Sequence, residues 1–128
     1  MRLLLDTHAF LWFVTSDERL SPVAEQVMRG SDHELLLSVA SVWESAVKYN
    51  LGRLPVPEPL DTFIPTQLHA NRIALLPIEL RHTFEVARLP RHHRDPFDRL
   101  LIAQSLTERL PVISADGAFD AYTVQRVW

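Results

Sequence analysis

The sequence predicts an α/β protein: a three-layer α/β/α sandwich in which helices cover both faces of a short, mostly parallel sheet of four to five strands. Short runs that are apolar throughout recur along the chain, as in strands buried on both faces. Helix-like segments separate these runs, which is the alternation expected of a doubly wound fold. The length of 128 residues, with 47% hydrophobic and 23% charged positions, fits one domain spanning residues 1–128.

The predicted strands are three clear apolar runs and two further candidates. The clear runs are Leu3-Leu4-Leu5, Leu35-Leu36-Leu37 and Val112-Ile113; the candidates are Ile73–Leu76 and Thr123–Trp128. The first run ends at Asp6, the second passes through Ser38 into a helical stretch, and the third ends at Ser114-Ala115-Asp116. We expect the first and third runs to be neighbouring central strands of the sheet.

Capping residues and apolar periodicity predict the helices. Ser21-Pro22 places a capping hydroxyl before a proline at the first helical position, and Gly30 closes that helix. The other expected helices are a stretch from Ser41 to Leu51 closed by Gly52, one from about Leu60 to Ala70, one from Glu79 to Arg88, and a long, largely buried helix opened by Asp95-Pro96. Trp12, Phe13 and Trp43 are expected in the core.

Composition excludes several classes of protein. The absence of cysteine excludes a disulfide scaffold, a thiol nucleophile, a zinc finger and an iron–sulfur site. The net charge of −3 excludes a chain that is a polycation as a whole. The N-terminal apolar runs are far shorter than the roughly 20 residues that span a bilayer. We therefore expect a cytoplasmic protein that keeps its N-terminus and has no membrane partner.

The positions of four acids are the most informative feature. Asp6 directly follows the run Leu3-Leu4-Leu5, and Asp116 follows the run Val112-Ile113. Ligands of open α/β sheets bind beyond the carboxyl ends of such strands. Glu44 is expected in the first turn of the helix after the second strand. Asp98 is expected in the first turn of the buried helix, with Asp95 three residues earlier on the same face. The four acids are therefore expected to share one crevice.

Clustered carboxylates indicate a divalent metal site. They repel one another and hold protons unless a cation compensates their charge. Oxygen-only ligand sets select Mg²⁺ or Mn²⁺ over zinc or copper. One or two such ions lower the pKa of a bound water and stabilise the charge that develops in phosphoryl displacement. The hypothesis that follows is metal-dependent cleavage of phosphodiester bonds.

The stretch from Arg81 to Arg99 is basic in an otherwise acidic chain. It holds five arginines and three histidines against three acids, and twelve of the thirteen cations of the whole chain are arginine. Guanidinium groups pair well with phosphate. We expect the loop from Leu89 to Arg94 to lie beside Asp98, so that Arg91, Arg94 and Arg99 can hold a backbone phosphate.

The motifs resemble those of the PIN-domain family, and within it the VapC-like toxin ribonucleases of type II toxin–antitoxin systems. They are Leu3–His8, Ser38–Glu44 with Lys48 and Gly52-Arg53-Leu54, His93–Gln104, and Ser114-Ala115-Asp116 with Phe119 and Tyr122, so the resemblance runs nearly end to end.

This resemblance implies a PIN-like fold and a site of known type. It makes Asp6, Glu44, Asp98 and Asp116 the catalytic, metal-binding acids, with Thr7 and Ser114 as polar neighbours. It also implies RNA cleavage with Mg²⁺ or Mn²⁺, a homodimer and inhibition by a cognate antitoxin. Lys48 is expected to trim the charge of the site. The parts of Asp95 and Asp120 stay unsettled.

Each acid also has an ordinary structural interpretation. Asp6 can cap a helix beginning at Thr7, and Asp116-Gly117 has the composition of a turn. Glu44 can form a pair with Lys48 four residues later, a contact worth about 0.3–0.5 kcal/mol on an exposed helix.

The basic stretch has such interpretations too. Asp98 can pair with Arg94 or Arg99 instead of a metal ion, and the arginines can form a solvated face. His92 and His93 are adjacent, so their side chains point apart, and we expect a surface loop there and no pair of metal ligands.

Two other functions remain open from the sequence. A phosphatase would use Asp6 as its nucleophile. That class usually has a second aspartate two residues later, where this chain has His8. A non-catalytic interaction module would use the same acids only to bind a basic partner.

Overall fold

The structure is a computed structural model that describes residues 1–128. Its strands are β1 (Arg2–Leu5), β2 (Glu34–Ser38), β3 (Ile73–Leu76), β4 (Val112–Ile113) and β5 (Arg126–Val127). Its helices are α1 (Thr7–Val14), α2 (Pro22–Arg29), α3 (Val39–Asn50), α4 (Leu60–Ala70), α5 (Leu80–Arg88) and α6 (Pro96–Glu108), and a short 3-10 helix spans Gly117–Ala121. The strands form one parallel sheet in the order β3-β2-β1-β4-β5, which confirms the predicted fold class.

The central strands end at the same edge of the sheet. Leu5 of β1 is in register with Leu37 of β2 and with Ile113 of β4. The backbone N–H of Asp6 donates to the carbonyl of Ile113 (3.0 Å), so the ladder between β1 and β4 continues to the acid. This arrangement brings Asp6 and Ser114 to adjacent positions, as the alternation of strands and helices predicts.

Two layers of helices cover the sheet. Leu3 and Leu5 of β1 pack on one face with residues of α1, α2 and α4, whereas Leu4 packs on the other face with α6 and the residues after α5. Alternate residues of a strand point to opposite faces, so an all-leucine strand supplies both cores. Helix α3 contacts α1, α4 and α6 and therefore lies across the boundary of the two layers.

Most helices begin where their capping signals predict. Ser21 accepts a hydrogen bond from the backbone N–H of Ala24, and Pro22 is the first residue of α2. Asp95 caps α6 in the same way, and α4 has the predicted bounds. The last strand is shorter than the predicted Thr123–Trp128 and covers only Arg126–Val127.

Helix α3 begins two residues earlier than expected, and the predicted place of Glu44 in its first turn is wrong. The side chain of Ser38 accepts from the N–H of Ala40, which allows the helix to start at Val39. Glu44 is thus the sixth helical residue and lies in the second turn. The capping serine is itself the last residue of β2, so no loop residues separate the strand from the helix in the sequence.

The prediction that Trp43 lies in the core is also wrong. Trp43 is 55% exposed, because α3 turns Ala40, Ser41 and Glu44 inward and Trp43 outward. Its ring packs edge-on against Phe97 with centroids 4.7 Å apart. Of the other two aromatic residues expected inside, Phe13 is buried and Trp12 is half-buried, as part of the core on the α1 face.

No helix of the structure combines the length and the apolar character that crossing a bilayer requires.

Candidate active site

Asp6 lies at the base of the crevice beyond β1 and is only 5% exposed. It caps α1: its Oδ1 accepts a hydrogen bond from the N–H of Ala9 (2.7 Å). Its Oδ2 accepts one from the hydroxyl of Ser114, at the end of the neighbouring strand β4. The capping interpretation of Asp6 is therefore correct, and the cap leaves the carboxylate at the sheet edge beside other acids.

Ser114 links Asp6 to Asp116. The hydroxyl oxygen of Ser114 accepts a hydrogen bond from the N–H of Asp116 (3.0 Å) while its proton goes to Asp6. Asp116 is exposed and caps the 3-10 helix through the N–H of Ala118 (2.9 Å). The turn expected at Asp116 is thus present, and it directs an acid toward the same edge.

Glu44 reaches this edge from α3 and is 7% exposed. Thr7 donates its hydroxyl proton to Oε1 of Glu44 (2.7 Å), and the hydroxyl of Ser41 lies 2.9 Å from that of Thr7. Lys48 pairs with Oε2 of Glu44 at 3.0 Å. The predicted Glu44–Lys48 pair is therefore present, although Glu44 is buried and not on an exposed surface. Ser41 is a polar neighbour that the sequence alone does not single out.

Asp98 lies in the first turn of α6, as predicted, and pairs with a histidine. Nε2 of His93 is 2.7 Å from Oδ2 of Asp98, whereas neither Arg94 nor Arg99 forms an ion pair with it. Asp95 accepts from the N–H groups of Phe97 and Asp98 and serves as the cap of α6.

His93 lies at this edge, although the sequence predicts it on a surface loop without a ligand role. A ring nitrogen of His93 and one carboxylate oxygen each of Asp98 and Asp116 all lie within 4.8 Å of one another. The alternating directions of adjacent side chains exclude joint binding by His92 and His93. Because the two side chains point in different directions, only one of them can face the acids, and that one is His93.

Burial and neighbouring charges shift the pKa values of the acids at this edge. Burial raises the pKa of Asp6, and the hydrogen bond from Ser114 opposes that rise. Burial also raises the pKa of Asp98, against the opposing hydrogen bond of His93. The negative charge of Glu44 adds to the rise in the pKa of both residues. Glu44 on α3 is thus close enough to repel both Asp6, after β1, and Asp98, on α6.

Asp120 is separate from the cluster. Both of its oxygens accept from the guanidinium of Arg126 at 3.0 Å, and this pairing lowers the pKa of Asp120. Arg126 also donates to the carbonyl of Ser114 (3.2 Å). Asp120 therefore fixes β5 against the end of β4.

Arg91 and Arg94, on the loop before α6, and Arg99, in α6 itself, have different surroundings. Arg99 donates to the backbone carbonyls of Val86, Leu89, Pro90 and His93, at 3.0–3.4 Å, and so ties the loop to α6. Arg91 and Arg94 are exposed. All three line a cavity of about 730 Å³ together with His93 and the apolar side chains of Val86, Ala87, Leu89 and Pro96.

Comparison with known proteins identifies the fold and one curated relative. The sequence model of the PIN domain matches residues 3–124. Ribonuclease VapC16 of Mycobacterium tuberculosis (strain ATCC 25618 / H37Rv) is 39% identical over 51 residues, which are 40% of this chain and 36% of that protein. The matched region thus spans about a third of the length of the curated relative.

Solved structures of toxin–antitoxin proteins share the fold. VapBC2 from Rickettsia felis, bound to a DNA fragment from the promoter, superposes with a TM-score of 0.74 over 100% of both chains at 12% identity. VapBC-5 from Mycobacterium tuberculosis superposes with a TM-score of 0.62 over 98% of this chain and 97% of that chain at 20% identity. At these identities the likeness establishes the fold alone.

Proposed function

The chain belongs to the PIN domain family, and we propose that it is the toxin of a type II toxin–antitoxin system, a Mg²⁺- or Mn²⁺-dependent endoribonuclease inhibited by a cognate antitoxin. One observation supports this proposal above all others. Four carboxylates from separate parts of the chain, Asp6, Glu44, Asp98 and Asp116, converge at the carboxyl edge of the sheet. The name of the curated relative, a ribonuclease, supports RNA as the substrate.

The residues at the edge fit a divalent cation. Lys48 and His93 are the only basic side chains paired with the four acids, and they contact Glu44 and Asp98. Neither Asp6 nor Asp116 forms a salt bridge, and buried or clustered carboxylates are costly without a nearby cation. Carboxylate oxygens are ligands that Mg²⁺ and Mn²⁺ accept. When bound, such an ion supplies charge stabilisation to the phosphate and acidifies a water molecule.

The chain itself orients the groups that act on the substrate. Ser114 and Ala9 hold both oxygens of Asp6, and Thr7 and Lys48 hold both oxygens of Glu44. Two fixed carboxylates need little reorganisation when charge develops in the reaction. We assign to Glu44 the orientation of the attacking water.

The exposed guanidinium groups of Arg91 and Arg94 supply the contacts to the RNA backbone. They are free of ion pairs and lie on the loop that leads to His93 and Asp98. Arginine binds phosphate with two parallel hydrogen bonds. Arg99, the third arginine predicted to contact RNA, donates to four backbone carbonyls, and we propose that it also shapes the loop.

The decisive experiment is RNA cleavage by the purified chain with Mn²⁺ and with EDTA, using the Asp6→Asn variant as the control. We expect cleavage that EDTA stops and that the variant lacks. Sequencing of RNA ends after expression of the chain alone would then identify the target. Cleavage by Asp6→Asn at the wild-type rate would show that the site is assigned wrongly.

The two other functions have their own outcomes. A phosphatase would use a carboxylate oxygen of Asp6 as its nucleophile, and this chain has His8 where that class usually has a second aspartate. A phospho-aspartate trapped on Asp6 would nevertheless establish it. A chain that binds no Mn²⁺ at millimolar concentration would be a non-catalytic module.

The exposed stripe of α3 is our proposed contact with a second copy. Val39, Trp43 and Val47 are four residues apart, lie on one side of the helix and are 38–55% exposed. Solvent-exposed apolar stripes of this kind indicate protein contacts. We expect the wild-type chain to sediment as a dimer and Trp43→Arg to sediment as a monomer with an unchanged circular dichroism spectrum. A monomeric wild type would contradict the assignment.

The antitoxin is proposed to occupy the groove between α3 and α4. This cavity of about 650 Å³ is lined largely by apolar side chains, among them Val42, Ile64, Leu68 and Leu75. An amphipathic helix is the kind of segment that such a groove accepts. An antitoxin that restores growth to cells expressing the wild-type chain should not restore growth to cells expressing Leu68→Asp. If it does so fully, the antitoxin binds at another surface.

A further inference from the structure

His93 belongs to the carboxylate cluster in the same way as the acids do. Its Nε2 lies 2.7 Å from Oδ2 of Asp98, and a ring nitrogen lies within 4.8 Å of a carboxylate oxygen of Asp116. The ring is three-quarters or more covered, with a side-chain exposure of 21%. Three donor atoms this close together can contact one ion.

A second histidine–carboxylate cluster of the chain already contains a positively charged side chain. Glu79, His82 and Glu108 also place their donor atoms within 4.8 Å of one another. There Arg81 forms ion pairs with both glutamates, so a cation is already built into the cluster. No lysine or arginine forms an ion pair with Asp98 or Asp116; the charge of Arg126 acts on Asp116, but its guanidinium is paired with Asp120.

From this geometry we infer that His93 is a nitrogen ligand of the divalent ion and makes the site prefer Mn²⁺ over Mg²⁺. The inference rests on the proposed function, whose ligand set it extends from oxygen alone to oxygen and nitrogen. Imidazole is a good ligand for transition metals, whereas Mg²⁺ favours carboxylate, carbonyl and water oxygens. A site with one ring nitrogen therefore discriminates between two ions that carboxylates alone distinguish poorly.

A role of His93 in holding Asp98 by a hydrogen bond is the alternative, and substitutions separate the two. His93→Asn keeps an N–H donor beside Asp98 but removes the ring nitrogen. His93→Ala removes both. His92→Ala is the matched control, because His92 is the adjacent histidine and packs instead against Tyr122, with ring centroids 5.3 Å apart.

The experiment measures Mn²⁺ and Mg²⁺ affinity and the pulsed electron paramagnetic resonance spectrum of bound Mn²⁺, in the complete chain without RNA. Wild type and His92→Ala should show coupling of Mn²⁺ to a ¹⁴N nucleus. Both His93 variants should lose that coupling. They should also bind Mn²⁺ about tenfold more weakly while Mg²⁺ affinity changes less, a loss on the scale of disturbed metal sites. Unchanged circular dichroism spectra show that the variants are folded.

The remaining outcomes contradict the inference. Absence of ¹⁴N coupling in the wild type, persistence of the coupling in His93→Ala, or wild-type Mn²⁺ affinity in His93→Asn would each overturn it. In those cases RNA cleavage that EDTA stops would leave the proposed function intact. A wild-type chain that binds neither Mn²⁺ nor Mg²⁺ would overturn both.

Discussion

The hydroxyl of Ser114 donates a hydrogen bond to Oδ2 of Asp6, across 108 residues of sequence. The two residues end the adjacent parallel strands β4 and β1, and both are buried. The same hydroxyl oxygen accepts from the N–H of Asp116. One serine therefore sets the direction of two acids, and the geometry of the site depends on the register of these strands.

Replacing Ser114 with alanine should weaken metal binding as well as the fold. The change leaves Oδ2 of Asp6 without a donor and costs ~1–3 kcal/mol in unfolding free energy. Mn²⁺ affinity should also fall by about tenfold because a ligand loses its orientation. Ser105→Ala is the matched control, since Ser105 is a buried serine that donates to the carbonyl of Leu110, in the loop that precedes β4. Its variant should lose stability but keep wild-type Mn²⁺ affinity. Equal affinities in the two variants would contradict this role of Ser114.

Replacing Asp6 with asparagine should abolish RNA cleavage and keep the fold. Asparagine caps helices as well as aspartate does, so α1 keeps its start. We expect cleavage to fall on the order of a hundredfold or more, the scale on which one charged contact to a transition state acts. Asp120→Asn removes an acid outside the cluster, and its cleavage rate should stay within about twofold of wild type. A similar loss in both variants would indicate a general effect of charge.

The contribution of Asp6 and Asp98 to the stability of the metal-free chain should fall as the pH rises through the acidic range. Burial raises the pKa of Asp6 and Asp98 above the ordinary value of 3.8, so the folded state keeps protons that the unfolded state has released. Their stabilising contribution is complete below pH 3.8 and is lost as the pH passes the folded-state pKa values. Asp6→Asn should therefore be more stable than wild type near neutral pH.

Thermal unfolding at several pH values, with EDTA and with Mn²⁺, checks this expectation. The advantage of Asp6→Asn should vanish below pH 3.8, and Mn²⁺ should raise the Tm of wild type more than that of the variant. Asp120→Asn should show the opposite sign, because Arg126 lowers the pKa of Asp120 and the pair stabilises the fold above its titration. A wild-type chain that is more stable than Asp6→Asn at neutral pH without metal would contradict the prediction.

Replacing Arg99 should affect the stability of the chain, whereas replacing Arg91 and Arg94 should affect RNA binding. Arg99→Ala removes the donor to four backbone carbonyls and should cost ~1.5–3 kcal/mol of unfolding free energy. Replacing both exposed residues, Arg91 and Arg94, with alanine should change the unfolding free energy by less than about 0.5 kcal/mol. The double variant should instead bind single-stranded RNA more weakly, and the slope of log K against log salt should shrink by about 0.7 for each phosphate that it no longer neutralises. An unchanged salt dependence would exclude these two residues from the RNA contact.

The order of the strands along the chain, most helix starts and the acids that follow the strands are predictable from the sequence. Leu3, Leu4 and Leu5 are apolar on both faces, and only a strand between two layers of helices buries both. Asp6 follows that strand directly, so its place at the sheet edge comes from local chain direction. Ser21 and Asp95 likewise specify helix starts through contacts within three residues. Local geometry acts over a few residues, and the sequence contains it in full.

Only the tertiary structure decided which way α3 and the basic loop face. Trp43 and Glu44 are neighbours on α3, and the packing of this helix across the two layers turns one outward and the other into the site. His93 and His92 divide in the same way, because Arg99 ties their loop to α6 and turns His93 toward Asp98. The direction of α3 depends on the rotation of a whole helix, and that of the loop depends on its ties to α5 and α6. Neither is encoded in the pattern of any single segment.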